Sequence, residues 1–352
     1  MKVFATTAIT GDVSTYLPLF HSMAAQDRFR VHTLTDDPAE ADVILFLDGH
    51  QHCADLSLRA IRQHPLVQTY PKRALVYSEL DQPWCAMPGL YVSMPTGNFD
   101  WKRQRPCSYL SLINRFVVEK QTTTEAPSLL FSYMGRRCHP VRERILNLRH
   151  DRAHVEDTTA LDFFGVASEA VLQHQRRYAA ILRDSKFVLC PRGGGLASFR
   201  LFETMAAGRV PVIISDDWVP PVGPAWETMV LRVKEAEVEQ VAAIVESREE
   251  RFEEMSRNVQ EMWKDWFAPD VTFHRMIENC AGILEGDAPS LQFWMLDRRF
   301  LYLLMRSMKW KCRKAVLERL TRRGGSRKRF ASRTGEVLRS QRISEWVRPY
   351  AQ

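Results

Sequence analysis

The sequence has no C-x-x-C pair; its seven cysteines stand singly at positions 53, 85, 107, 138, 190, 280 and 312. An odd, scattered set indicates neither a disulfide framework nor a zinc site and leaves buried thiols as the expected state. No stretch approaches 18 uninterrupted apolar residues, so no transmembrane helix is expected. The N-terminus, MKVFATTAITGDVSTYL, has no apolar signal core with a cleavage site. It reads as the first strand of a sheet, which makes the cytoplasm the expected compartment. G-x-G-x-x-G is missing, which speaks against a dinucleotide-dependent oxidoreductase. Low-complexity tracts are missing too, so a folded globular protein is expected.

What is present suits two domains. The chain has 352 residues, 45% of them hydrophobic and 26% charged, enough apolar material for two cores. The net charge of +7 is unevenly placed: from Phe300 to Gln352 there are 15 Lys/Arg against 3 Asp/Glu, or +12, so the rest of the chain carries −5. The basic character therefore belongs to the tail.

Residues 1–126 read as a first α/β domain. Strands are expected at Lys2–Ala5, Arg30–Leu34, Val43–Leu47 and Arg73–Tyr77, with helices around Tyr16–Gln26 and Leu56–Gln63. Polar residues gather where these strands end: Asp48 and His50 after one, Ser78, Glu79 and Asp81 after the next. Ligands of open parallel sheets bind beyond the carboxyl ends of the strands, although each residue also reads as an ordinary loop or cap group. Pro88–Ser93 reads as a turn and short strand, and Gln121–Pro127 as the linker. A second domain, 127–280, opens with a strand at Ser128–Met134, the turn Gly135-Arg136-Arg137 and a helix from Val141 that has Pro140 in its first turn. Gly135 would let backbone approach a ligand, and Arg136 or Arg137 could meet a phosphate. Arg142 and Arg144 read as solvated helix charges.

The centre of that domain is Lys186–Trp218. An apolar strand, Phe187–Cys190, ends in Pro191-Arg192-Gly193-Gly194-Gly195; a helix pattern runs from Ser198 to Ala207, stops at Gly208, and a β-branched strand follows at Val210–Ile214. With Ser198 as cap, Arg200 lies in the first helical turn near the positive end of the dipole, and Arg192 sits on the preceding loop. Two guanidinium groups at a helix N-terminus suit a diphosphate. Glu203, three residues on, shares Arg200's face and is placed to accept the hydroxyls of a ribose. Gly193, Gly194 and Gly195 leave room for close backbone approach. The plainer alternative is an intrahelical Arg200–Glu203 ion pair with a glycine loop that only turns the chain.

The order SKFxLCPRGGGxxSFRxxExxxxGxVPVIxSDxW, from Ser185 to Trp218, strongly resembles the exostosin family, glycosyltransferase family 47. Fainter likenesses lie upstream, at Phe131–Arg136 with Val141-Arg142-Glu143, and at Pro88–Tyr91. The resemblance implies an α/β fold of GT-B type: two Rossmann-like parallel-sheet domains facing a cleft, with C-terminal helices. It implies inverting transfer of a sugar from a nucleotide-diphosphate donor, a UDP-sugar first, to a glycan or lipid-linked acceptor in polysaccharide or glycoconjugate synthesis. Arg192 and Arg200 would stabilise the leaving diphosphate, Glu203 would hold the ribose, and Gly135-Arg136 would frame the phosphates. Family members commonly carry a signal-anchor helix and a stem, and neither is seen here. A D-x-D motif is also lacking, since Asp36-Asp37 and Asp216-Asp217 are adjacent pairs, so no obligatory metal and no cofactor are expected. The arginines and helix dipole would supply the positive charge instead. Inverting transfer needs a general base. Glu79 and Asp81, in SELDQPW, are the first choices for it, with Asp48 and His50 next.

Residues 281–352 are expected to hold a helix, Leu291–Leu320, that crosses back onto the first domain, and then a charged tail, Arg322–Arg329. Three readings of the tail stay open: a plain extension, a patch for anionic lipid or a lipid-linked acceptor, and nucleic-acid binding. Neighbouring Trp310, Phe330 and Trp346 favour a peripheral position on the inner face of a membrane, and no nucleic-acid fold signature accompanies the charge. The competing functional reading is a non-catalytic, nucleotide-binding scaffold of a glycan-assembly complex.

Overall fold

The computed structural model describes residues 1–8, 16–48, 58–81, 87–110, 114–118, 126–161 and 169–286. His50, most of the 121–127 linker, the expected 291–320 helix and the basic tail lie outside the described residues.

Short apolar runs flanked by turn residues make the strands. Those at the centre of each sheet, such as Val43–Leu47 and Val210–Ile214, are buried along their whole length. Continuous rather than alternating hydrophobicity is what a parallel sheet covered on both faces requires. Six strands form the first sheet: β1 (Lys2–Thr6), β2 (Thr33–Leu34), β3 (Val43–Leu47), β4 (Ala74–Ser78), β5 (Gly89–Tyr91) and β6 (Gln104–Pro106), in the order β2-β1-β3-β4-β5-β6. Five form the second: β7 (Leu129–Gly135), β8 (Ala153–Asp157), β9 (Ser185–Pro191), β10 (Val210–Ile214) and β11 (Leu231–Arg232), in the order β11-β10-β9-β7-β8. Every pairing within both sheets is parallel. The strand order reverses between β1 and β3 in the first sheet and between β7 and β9 in the second. Open parallel sheets bind ligands at such crevices.

The architecture is thus the expected pair of Rossmann-like sheets, but the halves share an interior. One apolar cluster joins Leu45, Tyr77 and Leu90 of the first sheet to Leu201, Phe202 and Met205 of the Phe199–Ala206 helix and to Phe273 and Ile277. Two further clusters fill the outer faces of the second and first sheets.

The helix that returns to the first half is Pro269–Leu284, which begins inside the segment assigned by sequence to the second domain. It lies against Tyr16–Gln26, with Phe273 edge-on to Phe20 at 5.2 Å between ring centres, and Arg105 donates to the Gly282 carbonyl at 2.6 Å. The expected Arg30–Leu34 strand shrinks to Thr33–Leu34, because Arg30 takes a left-handed backbone (φ 54°) in a turn capped by Asp27.

Candidate functional site

The two arginine-bearing loops follow β7 and β9, the strands that flank the second switch point. Topology therefore brings together Gly135-Arg136 and Arg192–Gly195, which are far apart in sequence. Arg200 enters between them from the first turn of the Phe199–Ala206 helix. It donates to the Met134 carbonyl, and its guanidinium carbon lies 4.7 Å from the centre of the Tyr133 ring. Burial disfavours its charge, but Tyr178, Tyr133, Cys190 and Glu203 outweigh that and raise its proton affinity. A Cβ on Gly135 would stand 2.5 Å from the Tyr133 hydroxyl and 3.0 Å from Arg200 Nη2. The glycine is needed for the arginine's seat as well as for ligand approach.

Arg192 reaches toward Glu235, 3.8 Å away, and its loop is held from behind by Arg142. Arg142 donates to the Arg192 carbonyl at 2.8 Å and the Pro191 carbonyl at 3.3 Å, so it is a loop anchor rather than a solvated charge. Arg144, half-exposed, pairs with Glu239 and also donates to the Glu235 and Ala236 carbonyls at 2.8 and 3.1 Å. Arg136 is half-buried and its side chain makes no hydrogen bond or ion pair among the described residues, while Arg137 turns outward to Asp157 at 2.6 Å. Burial, then the nearby Arg192 and Arg142 charges, hold the His139 imidazole below its ordinary value, as a positive pocket would.

Glu203 does not pair with Arg200. Its carboxylate is buried and accepts from the Asn114 backbone N–H at 3.0 Å and the Tyr178 hydroxyl at 2.7 Å. Each oxygen keeps a further acceptor position. Ser198 caps the helix through backbone conformation alone, with no side-chain bond. The amides of Leu196 and Ala197, just before it, are occupied by the Ser93 hydroxyl at 2.7 and 3.3 Å. An anion here would thus be met by guanidinium groups more than by those two amides.

The first half closes the site. Asp81 is exposed and lies against the glycine loop: a Cβ on Gly194 would be 2.8 Å from its Oδ2, and one on Gly195 would be 2.5 Å from its Oδ1. Glu79, the other acid singled out by sequence, is 1% exposed. It accepts from Tyr77, from Tyr16 at 3.2 Å and from the Leu110 amide at 2.7 Å, so it is turned into the core. Asp48 faces Thr7 and the Ala8 amide at the other switch point, 2.6 and 2.9 Å away. Below the loop, Pro95 pairs with Trp218, and Thr96 and Val219 exchange backbone bonds with Asp217 and Met94 at 3.0 Å. The SDxW end of the motif is a seam between the halves.

Among the described residues, eight buried side-chain atoms lack a hydrogen-bond partner, and Tyr133 OH, Arg192 Nε and Arg200 Nε are three of them. Buried polar groups are nearly always paired. These three lie on β7, on the loop after β9 and at the start of the following helix, all at the same switch point. Sequence reasoning missed Ser93, Arg142, Asn114 and Tyr178, because each acts on a partner distant in the chain and belongs to no local pattern.

Residues 101–248 match the family model described as the Exostosin GT47 domain. Over that span the chain is similar to the exostosin GT47 domain. That span holds every arginine of the site and Glu203, while Asp81 and Ser93 lie upstream of it. Exostosin-1 homolog of Caenorhabditis elegans is 35% identical over 92 residues, 24% of either chain. Human Exostosin-2 is 30% identical over 125 residues, 32% of this chain and 17% of that protein. The chain thus spans about a quarter or less of the length of these curated relatives. Among solved structures, Anabaena Alr3699/HepE in complex with UDP is 11% identical over 80% of this chain and 100% of that one, with a TM-score of 0.38, a likeness too slight to bear on ligand or mechanism.

Proposed function

We propose that the protein is a glycosyltransferase that moves a sugar, with inversion, from a nucleotide-diphosphate donor of UDP-sugar type to a glycan or lipid-linked glycan acceptor. The observation that carries this reading is that the loops after β7 and β9, which bear Arg136 and Arg192, meet at the switch point beside Arg200, with the exposed Asp81 of the other half against the glycine loop. The diphosphate lies on the three arginines, which take up the charge released when the anomeric carbon–phosphate oxygen bond breaks. Glu203, aimed by Tyr178 and Asn114, accepts from the ribose hydroxyls. Asp81 takes the acceptor hydroxyl proton as that oxygen attacks the anomeric carbon from the face opposite the diphosphate. Glu79 has no free approach to such a proton; its bonds to Tyr77, Tyr16 and Leu110 N fix the turn that presents Asp81.

The proton acceptor and the anion site come from different halves joined by the 93–96 and 217–219 seam, which favours catalysis over a nucleotide-binding scaffold. The test is a screen of labelled nucleotide-sugars for transfer or slow hydrolysis. Turnover of one donor that is lost in Asp81→Asn supports the proposal; tight nucleotide binding with no turnover of any donor returns the scaffold. The basic segment after Thr321 would hold the enzyme on an anionic membrane from the cytoplasmic side. That part fails if the full chain does not sediment with phosphatidylserine vesicles at moderate salt.

A further inference from the structure

At the opposite end of the first sheet lies a second group of orphaned polar atoms. His32 immediately precedes β2, and His274 and Glu278 stand one turn apart on the returning Pro269–Leu284 helix. Their ligand atoms all lie within 4.8 Å of one another. We propose that His32, His274 and Glu278 bind a divalent transition metal, zinc by the chemistry of its donors, and that this ion fastens the returning helix to the first sheet.

Of the eight buried atoms without a hydrogen-bond partner among the described residues, His32 Nε2, His274 Nδ1 and Asp27 Oδ1 belong to this one place. They form a second cluster beside the one in the donor crevice. Glu278 Oε1 is 2.8 Å from His32 Nε2, yet that contact lacks hydrogen-bond geometry. An ion pair between the two would still leave His274 Nδ1 buried and unanswered. Asp27 is buried as well, with one oxygen accepting from the Arg30 amide and the other without a partner. His32 Nδ1 faces the Met1 nitrogen at 3.2 Å, which leaves Nε2 toward the cluster.

Two imidazoles and one carboxylate are a zinc donor set and a poor one for magnesium or calcium, which take oxygen. Ligands about 2.0–2.1 Å from one tetrahedral ion stand roughly 3.4 Å apart. The 2.8 Å pair must therefore open a little and the wider separations must close. Glu278 has the freedom to do so, with 53% of its side chain exposed. The imidazoles, stacked at 24° with centres 5.0 Å apart, must turn about their Cβ–Cγ bonds. The ion would sit at the amino ends of the strands, whereas donor chemistry occupies the carboxyl ends, so its part is to hold the fold.

The test uses full-chain protein stripped with a chelator and titrated with zinc chloride alone, with bound metal read by mass spectrometry and melting temperature followed in parallel. One zinc per chain is expected, with a melting temperature that rises to a plateau and does not respond to magnesium chloride. Glu278→Gln, at an exposed position, should melt like wild type in chelator and bind zinc roughly tenfold more weakly or worse. His32→Gln should do the same where circular dichroism shows it folded, and Glu278→Gln decides alone where it does not. Failure of the wild type to retain zinc, or wild-type affinity in Glu278→Gln, overturns the proposal; the second result would assign the metal elsewhere, for instance to the exposed thiol of Cys138.

Discussion

Replacing Gly195 with alanine tests whether the two halves meet at the glycine loop. The added Cβ would lie 2.5 Å from Asp81 Oδ1, 2.8 Å from Ser93 Oγ and 3.0 Å from Asp81 Cα. Ordinary contact begins near 3.4 Å, so Asp81 Oδ1 must retreat by about 0.9 Å and Ser93 Oγ by about 0.6 Å. The carboxyl group can rotate away, but the Asp81 backbone cannot. Nor can Ser93, which is 1% exposed and holds the Leu196 and Ala197 amides. Overpacking of this kind costs about 1–3 kcal/mol, a drop of a few degrees in melting temperature. A shift of about 1 Å between Asp81, the proposed base, and the glycine loop should slow transfer on the order of 10²-fold. Gly97→Ala is the control, since a Cβ there meets nothing within 4 Å. Initial rates with a labelled nucleotide-sugar, alongside thermal melts, provide the comparison. A Gly195→Ala enzyme as fast and as stable as Gly97→Ala would refute the placement of Asp81 and Ser93 against this loop.

Arg200→Ala should lower turnover by roughly 10²–10³-fold, as loss of one stabiliser of transition-state charge does, and near-wild-type kcat would remove Arg200 from the diphosphate site. Glu203→Ala should act mainly on nucleotide affinity, read by calorimetry; because Asn114 N and the Tyr178 hydroxyl then lose their acceptor, some stability should go with it. Hydrogen bonds from Arg152, then Lys186, hold the Glu249 carboxyl at about 2, below its ordinary 4.5. Its folded-state value is depressed, so its stabilisation is present above about pH 4.5 and fades as pH falls toward 2. The melting-temperature gap between wild type and Glu249→Gln should therefore close across that window, and a gap independent of pH would contradict the pairing.

The sheets were legible in the sequence because buried parallel strands are read from short apolar runs with turn residues at their ends. Phe187–Cys190, Val210–Ile214 and Val43–Leu47 all fall inside observed strands. The arginines of the proposed donor site stand out for a related reason: a glycine loop, a helix start and two guanidinium groups lie within one short segment. What acts across the chain was not legible. Nothing local tells Glu79, tied into the core by two tyrosines, from Asp81, two residues on and exposed to the glycine loop. Ser93 looked like the end of a strand until its hydroxyl met amides a hundred residues away. Arg142 has the spacing of a solvated helix charge, and its anchoring of the Pro191 and Arg192 carbonyls depends on how β7 and β9 pair. That Pro269–Leu284 packs against Tyr16–Gln26 was not legible either, because its apolar face does not say by pattern which half it covers.

If the protein is a glycosyltransferase of the proposed kind, the β7–β9 crevice holds a nucleoside diphosphate. Its most direct measurement is calorimetric titration of UDP, with GDP, UMP and NAD alongside, into wild-type and Arg200→Ala protein. One site per chain for a nucleoside diphosphate is expected, with weaker binding of UMP and a clear loss of affinity in Arg200→Ala. Binding of NAD with neither diphosphate, or diphosphate affinity untouched by Arg200→Ala, would contradict it.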